Sequence, residues 1–182
     1  MIYLIGGVSK AGKSFIAKKI MEDKKIPYFS TDFLLWGLGG DDKKSLFSYY
    51  DSDDKVSNIL EDYILKIISF INENNEDYVI EGTHITYSLY LKVKSLYKDN
   101  VSAIFLGYST ISNIDKYNEI IRYEDQISTK WYNHLSHEEF LSFLDEQIHK
   151  SLKLKDEVND LYFDVRDLLK DYNNIVSKLM DN

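Results

Sequence analysis

Apolar residues along this chain fall into two alternating kinds of pattern. Five brief stretches, 2–5, 27–30, 78–80, 101–106 and 161–163, are β-rich and continuously apolar. Short unbroken runs of this kind predict strands covered on both faces, as in a parallel sheet. Between them the apolar positions recur with the helical period. Val56, Ile59, Leu60, Tyr63, Ile64, Ile67, Ile68 and Ile71 keep one stripe for about four turns. Leu168, Leu169, Tyr172, Ile175, Val176, Leu179 and Met180 repeat the pattern near the C-terminus. Ser136 followed by Glu139 predicts a capping box opening a helix that buries Phe140, Leu141, Leu144 and Ile148.

Strands alternating with helices predict an α/β protein: a parallel sheet with helices on both faces. Right-handed crossovers then bring every strand's C-terminal end to one edge, where ligands bind in such folds. No repeat, low-complexity segment or flexible linker interrupts the pattern. The 182 residues suit one domain, 1–182, able to bury roughly 70% of the surface of its unfolded chain.

Charge and cysteine content narrow the function. The net charge of −8 disfavours extended nucleic-acid binding, which calls for a basic surface. The absence of cysteine removes disulfides and Cys-ligated zinc, and fits a reducing compartment. The apolar stretch at 63–71 is interrupted by Lys66 and is too short to span a bilayer. Residues 1–5 lack the preceding positive charge of a signal peptide. These features predict a cytoplasmic protein without membrane contact.

The strongest chemical signal follows the first strand. Gly7-Val8-Ser9-Lys10-Ala11-Gly12-Lys13-Ser14 is a complete G-x-x-x-x-G-K-S sequence, and Phe15, Ile16, Ile20 and Met21 open a helical pattern directly after it. Glycines let such a loop wrap a phosphate with its N–H groups inward, and the next helix adds its positive end. Lys13 would reach the β- and γ-phosphates, and the Ser14 hydroxyl would ligate Mg²⁺. At average residue usage a chance match in this length is well under ~1%. Gly7, Ser9, Lys10, Ala11, Gly12, Lys13, Ser14 and Phe15 are therefore the expected ATP-binding residues.

With this loop, and closest over 4–14, LIGGVSKAGKS, the chain resembles the nucleoside-monophosphate-kinase-like group of P-loop kinases. That group includes adenylate, shikimate and gluconate kinases, chloramphenicol phosphotransferase and 2-phosphoglycerate-kinase-type proteins; the loop looks most like the last. The resemblance implies a three-layer fold with strand order 2-3-1-4-5, a small helical lid at about 122–136 and an acceptor-binding region at about 32–76.

Strand two ends in Ser30-Thr31-Asp32. In hydroxyl-phosphorylating members an acid just past the second strand holds the acceptor oxygen, and Asp32 stands at the matching position. It would accept the hydroxyl's hydrogen bond and take its proton late; alternatively it caps a helix. Trp36 would wall the acceptor pocket or belong to the core, and 38–54, with Phe47, Tyr49 and Tyr50, would shape that pocket. Strand three ends in Glu81-Gly82-Thr83-His84, where Glu81 would hold Mg²⁺ directly or through water. This segment looks like the Asp-Gly turn of adenylate kinase, but the Pro-Arg that follows there is His84-Ile85 here. The arginine that grips a nucleoside monophosphate is thus missing. His84 is either an acceptor contact or an ordinary loop histidine.

Only two of the 22 basic residues are arginines. Arg122 follows the fourth strand, where the resemblance puts lid arginines that stabilise the transferring phosphoryl group; its alternative is a surface pair with Glu119. Lys130 and Trp131 would close over the nucleotide. Arg166, after the fifth strand, either stacks on adenine or begins a helix capped by Asp164. So few arginines favour an acceptor carrying little phosphate of its own. The resulting expectation is an ATP- and Mg²⁺-dependent kinase acting on a hydroxyl of a small molecule. A nucleotide or phospho-acid kinase, and a nucleotide-binding switch without transfer, are the alternatives.

Overall fold

The five apolar runs form the five strands of one parallel sheet: β1 (Ile2–Gly7), β2 (Tyr28–Ser30), β3 (Tyr78–Glu81), β4 (Val101–Gly107) and β5 (Tyr162–Asp164), in the order β2-β3-β1-β4-β5. The computed structural model describes residues 1–48, 51–123 and 131–181. Seven α-helices lie among the described residues: α1 (Lys13–Lys24), α2 (Asp32–Leu38), α3 (Asp53–Glu73), α4 (Tyr87–Tyr97), α5 (Asn113–Arg122), α6 (His137–Val158) and α7 (Leu168–Met180). None of the described helices is long and apolar enough to cross a membrane.

The sheet divides the core in two because successive side chains of a strand point to opposite faces. Ile5, Val79, Ile104 and Leu106 join a cluster with Ile16 and Ile20 of α1, and with Ile175 and Leu179 of α7. Their strand neighbours Leu4, Ile80, Ala103 and Phe105 join a second cluster with Leu60, Ile64 and Ile68 of α3, and with Leu89 and Val93 of α4. Both faces are covered, which is why the strands read as unbroken apolar runs.

Two strands continue past the predicted apolar residues. β1 includes Gly6 and Gly7, paired with Phe105 and Leu106, because only glycine fits there. A Cβ on Gly7 would lie 2.0 Å from the Leu106 carbonyl oxygen, and its φ of +123° is one that other residues rarely adopt. β3 includes Glu81, held between Ser30 and Ile5 in register. α6 opens with the predicted capping box: the Ser136 hydroxyl accepts the Glu139 N–H at 3.2 Å, and the Glu139 carboxylate accepts the Ser136 N–H at 2.7 Å.

Candidate functional site

The loop from Gly7 to Gly12 leaves β1 and returns as α1. Left-handed backbone at Gly7, Lys10 (φ +61°) and Gly12 (φ +90°) bends it tightly. Val8 donates its N–H to the Leu106 carbonyl at 3.0 Å, and Ile16 to the Gly12 carbonyl at 3.0 Å, so both feet of the loop are anchored. Lys13, on the first turn of α1, reaches back across the loop and donates from Nζ to the Val8 carbonyl at 2.7 Å. Burial lowers the Lys13 pKa, opposed by the negative charges of Glu81 and Asp32. Ala11 is buried in the first core cluster and Phe15 packs against it.

Topology brings the two predicted acids to the same edge. Asp32 begins α2 directly after β2; Glu81 ends β3, between β2 and β1. Thr31 donates its N–H to the Glu81 carbonyl at 2.8 Å. The Glu81 side chain is 1% exposed, and burial raises its pKa, opposed by the Ser30 hydroxyl, the Lys13 charge and the Ser14 hydroxyl. Its Oε1 has no hydrogen-bond partner among the described residues. A buried carboxylate oxygen without a donor, beside the Ser14 hydroxyl, is a donor set suited to a hard divalent cation such as Mg²⁺. Asp32 is exposed and Thr31 occupies the N-cap position without a side-chain cap bond, so Asp32 does not serve as the cap.

Five-stranded order, phosphate loop and edge carboxylates can now be compared with known proteins. No family model matches the chain, and no curated protein matches it. Among solved structures, shikimate kinase from Bacteroides thetaiotaomicron superposes with a TM-score of 0.59 at 11% identity, covering 100% of this chain and 99% of that one. An uncharacterized protein from Eubacterium ventriosum follows with a TM-score of 0.53 at 16% identity, covering 100% and 99%. A gluconokinase from Sinorhizobium meliloti matches at 0.45 and 17% identity, over 99% and 89%. The fold is that of the P-loop kinases.

Within this P-loop kinase fold a cavity of about 950 Å³ opens beside the loop, reaching Gly7, Val8 and Ser9. Its walls are the start of α3 (Ser57, Asn58, Glu61), the β3–α4 turn (Thr83 to Ser88) and one side of α6 (including Gln147, Lys150 and Lys153). The α3 residues fall inside the expected acceptor region, but 38–54 does not line the cavity. Phe47 is buried in the second core cluster, and Tyr49 and Tyr50 lie outside the described residues. Trp36, 66% exposed, is neither core nor a wall of this cavity. His84 is buried, not an ordinary loop histidine: it lines the cavity, and its Nδ1 lies 3.2 Å from the Thr31 hydroxyl.

The arginines sit further out. Arg122, at the last turn of α5, is 3.7 Å from the Asp167 carboxylate; Glu119, its expected surface partner, is buried instead with Lys116. Arg166 donates from Nε to the Thr110 hydroxyl at 3.1 Å. Asp167 caps α7, while Asp164 is occupied by Ser109, Thr110 and Tyr162. Lys130 and the side chain of Trp131 lie outside the described residues.

Sequence reasoning missed the supports of the loop. Gln147 Oε1 accepts the Ser9 N–H at 3.2 Å, and the Tyr108 hydroxyl donates to the Ser9 carbonyl at 2.9 Å. A signal existed for Gln147. It occupies the buried stripe of α6 with Phe140, Leu144 and Ser151, where a polar side chain implies an internal partner.

Proposed function

We propose that this protein is an ATP-dependent kinase transferring the γ-phosphoryl group to a hydroxyl of a small-molecule acceptor held in the cavity beside the loop. One observation carries the proposal: a buried lysine of a phosphate loop and two acids from neighbouring strands, Asp32 and Glu81, sense one another's charge at a single sheet edge. A simple anion cradle needs no carboxylates; a phosphoryl-transfer site needs one for the metal and one for the acceptor.

In this reading the loop N–H groups and the Lys13 ammonium hold the β- and γ-phosphates. Asp32 accepts the acceptor hydroxyl's hydrogen bond and aims its lone pair at the γ-phosphorus. As the new O–P bond forms, the bond to the β-phosphate oxygen breaks, ADP leaves with that oxygen, and Asp32 receives the proton. Ser14 and Glu81 would hold Mg²⁺, which when bound neutralises charge on the phosphates. Arg122 would add charge to the transferring group from the lid side, and Arg166 would face the adenine.

The test compares wild type with Asp32→Asn over a panel of hydroxylated metabolites with Mg²⁺ and ATP. Loss of transfer with retained ATP binding is expected; equal transfer removes Asp32 as the base. ATP binding without transfer to any component of a broad extract would favour a nucleotide switch. Lys150 and Lys153 on the cavity wall favour a second reading, an anionic acceptor such as a nucleotide or a phospho-acid of the 2-phosphoglycerate type. ADP release during titration with nucleoside monophosphates and phosphoglycerate separates the two.

A further inference from the structure

We propose that the Lys10 ammonium, docked on the ring of Tyr132, is a second cation of the nucleotide site that reads the terminal phosphate and so separates a triphosphate from a diphosphate. This rests on the kinase reading above and adds to it a residue and a ligand preference.

Lys10 holds a left-handed backbone (φ +61°) in the middle of the phosphate loop, a conformation costing a side-chain-bearing residue roughly 1–2 kcal/mol. Strain of this kind persists where the surroundings enforce it and concentrates at functional sites. Its side chain crosses to the far wall, placing Nζ 4.3 Å from the centre of the Tyr132 ring. That ring is a fixed platform: Tyr132 is 5% exposed and stacks on Phe140 at 4.7 Å and 4°. A cation over an aromatic face is held without neutralisation of its charge.

The charged groups facing Lys10 are Lys13 from the loop and Asp32 from the end of β2, with Glu81 of β3 behind Lys13. Burial first, then repulsion from Lys13, bring the Lys10 pKa down to about 8, against the attraction of Asp32. Two ammonium groups thus share one corner, and the buried Glu81 carboxyl is itself shifted toward its neutral form. Such a corner favours an arriving anion, and an arriving anion would restore the Lys10 proton. Both arginines contact other groups, Arg122 at Asp167 and Arg166 at Thr110 and Asp164. Lys10 is the cation already placed near Lys13 and Asp32.

The experiment is calorimetric titration of wild type, Lys10→Met and Lys10→Gln with Mg²⁺ plus either ADP or the β,γ-imido analogue of ATP. Thermal melting confirms that each variant is folded. Both substitutions should weaken the triphosphate analogue about tenfold or more, the scale of a charge-assisted contact, and leave ADP within about twofold. The wild-type preference for the triphosphate should shrink above about pH 8, whereas Lys10→Met should show no such decline. Tyr132→Phe should keep the preference and Tyr132→Leu should reduce it. Equal losses for both ligands, or no loss for either, overturn the proposal. Wild-type protein that binds neither nucleotide overturns the kinase reading itself, a distinct result.

Discussion

The side-chain oxygen of Gln147 accepts the backbone N–H of Ser9 at 3.2 Å, joining the phosphate loop to the helix that walls the cavity. Because the Tyr108 hydroxyl holds the carbonyl of the same residue, Ser9 is fixed on both sides. Gln147→Leu strands that N–H, at a cost of about 1–3 kcal/mol. We expect a lower denaturation midpoint and weaker nucleotide binding, with Gln147→Glu, which keeps the acceptor, nearer to wild type. A Gln147→Leu variant as stable as wild type would mean that the bond does not brace the loop.

Glu81 should trade stability for chemistry. Burial raises its pKa, so the folded protein binds this proton more tightly than the unfolded chain does. Stability then falls as pH rises from the ordinary carboxylate range through the raised pKa, and the loss persists at higher pH. Glu81→Gln abolishes that titration. It should melt above wild type at about pH 7.5, by an amount worth on the order of 1–2 kcal/mol, with the gap closing near pH 4. Its Mg²⁺-dependent phosphotransfer should collapse. A variant that melts below wild type at pH 7.5 contradicts the sign.

The two loop glycines should differ in how far they can be rescued. A Cβ at Gly7 meets the Leu106 carbonyl oxygen at 2.0 Å, which is backbone and cannot yield. A Cβ at Gly12 meets the Leu168 Cδ1 at 2.4 Å, the end of a side chain. Gly7→Ala is expected to cost roughly 3 kcal/mol or more, and Gly12→Ala less. Adding Leu168→Ala should recover part of the Gly12→Ala loss while leaving the cost of its φ. A double-mutant cycle in urea measures this; no coupling between positions 12 and 168 would refute the contact.

Lys116 and Glu119 form a buried ion pair on α5, and Glu119 Oε1 also accepts the Leu168 N–H at 2.9 Å, at the start of α7. Removing one partner leaves a buried charge. Glu119→Ala should cost about 3–5 kcal/mol. Replacing both by methionine should cost far less, because two desolvated charges go together, although the Leu168 N–H loses its acceptor. Chemical denaturation of the three proteins gives the comparison, and a double variant as unstable as the single one would count against the pair.

Much of the architecture could be read along the chain because it depends on local pattern. Unbroken apolar runs marked strands covered twice, helical stripes marked the layers, and Ser136 with Glu139 marked a helix start. The phosphate loop was equally legible, since its glycines and Lys13 act within one turn of chain. What lay beyond reach was every relationship that depends on distance in sequence. Gln147 supports Ser9 from 138 residues away, and Lys10 finds Tyr132 only when α6 folds against the loop.

The two arginines illustrate the same limit, for a side chain after a strand can turn toward the site or toward the next helix with the same local sequence. Arg122 turns to Asp167 because α7 begins beside α5, a neighbourhood set by the β4–β5 pairing. Local periodicity and loop chemistry therefore determined the fold class and the phosphate cradle. The partners of Glu81, Lys10, Gln147 and Arg122 were decided by packing alone, because burial and long-range contact are properties of the assembled layers.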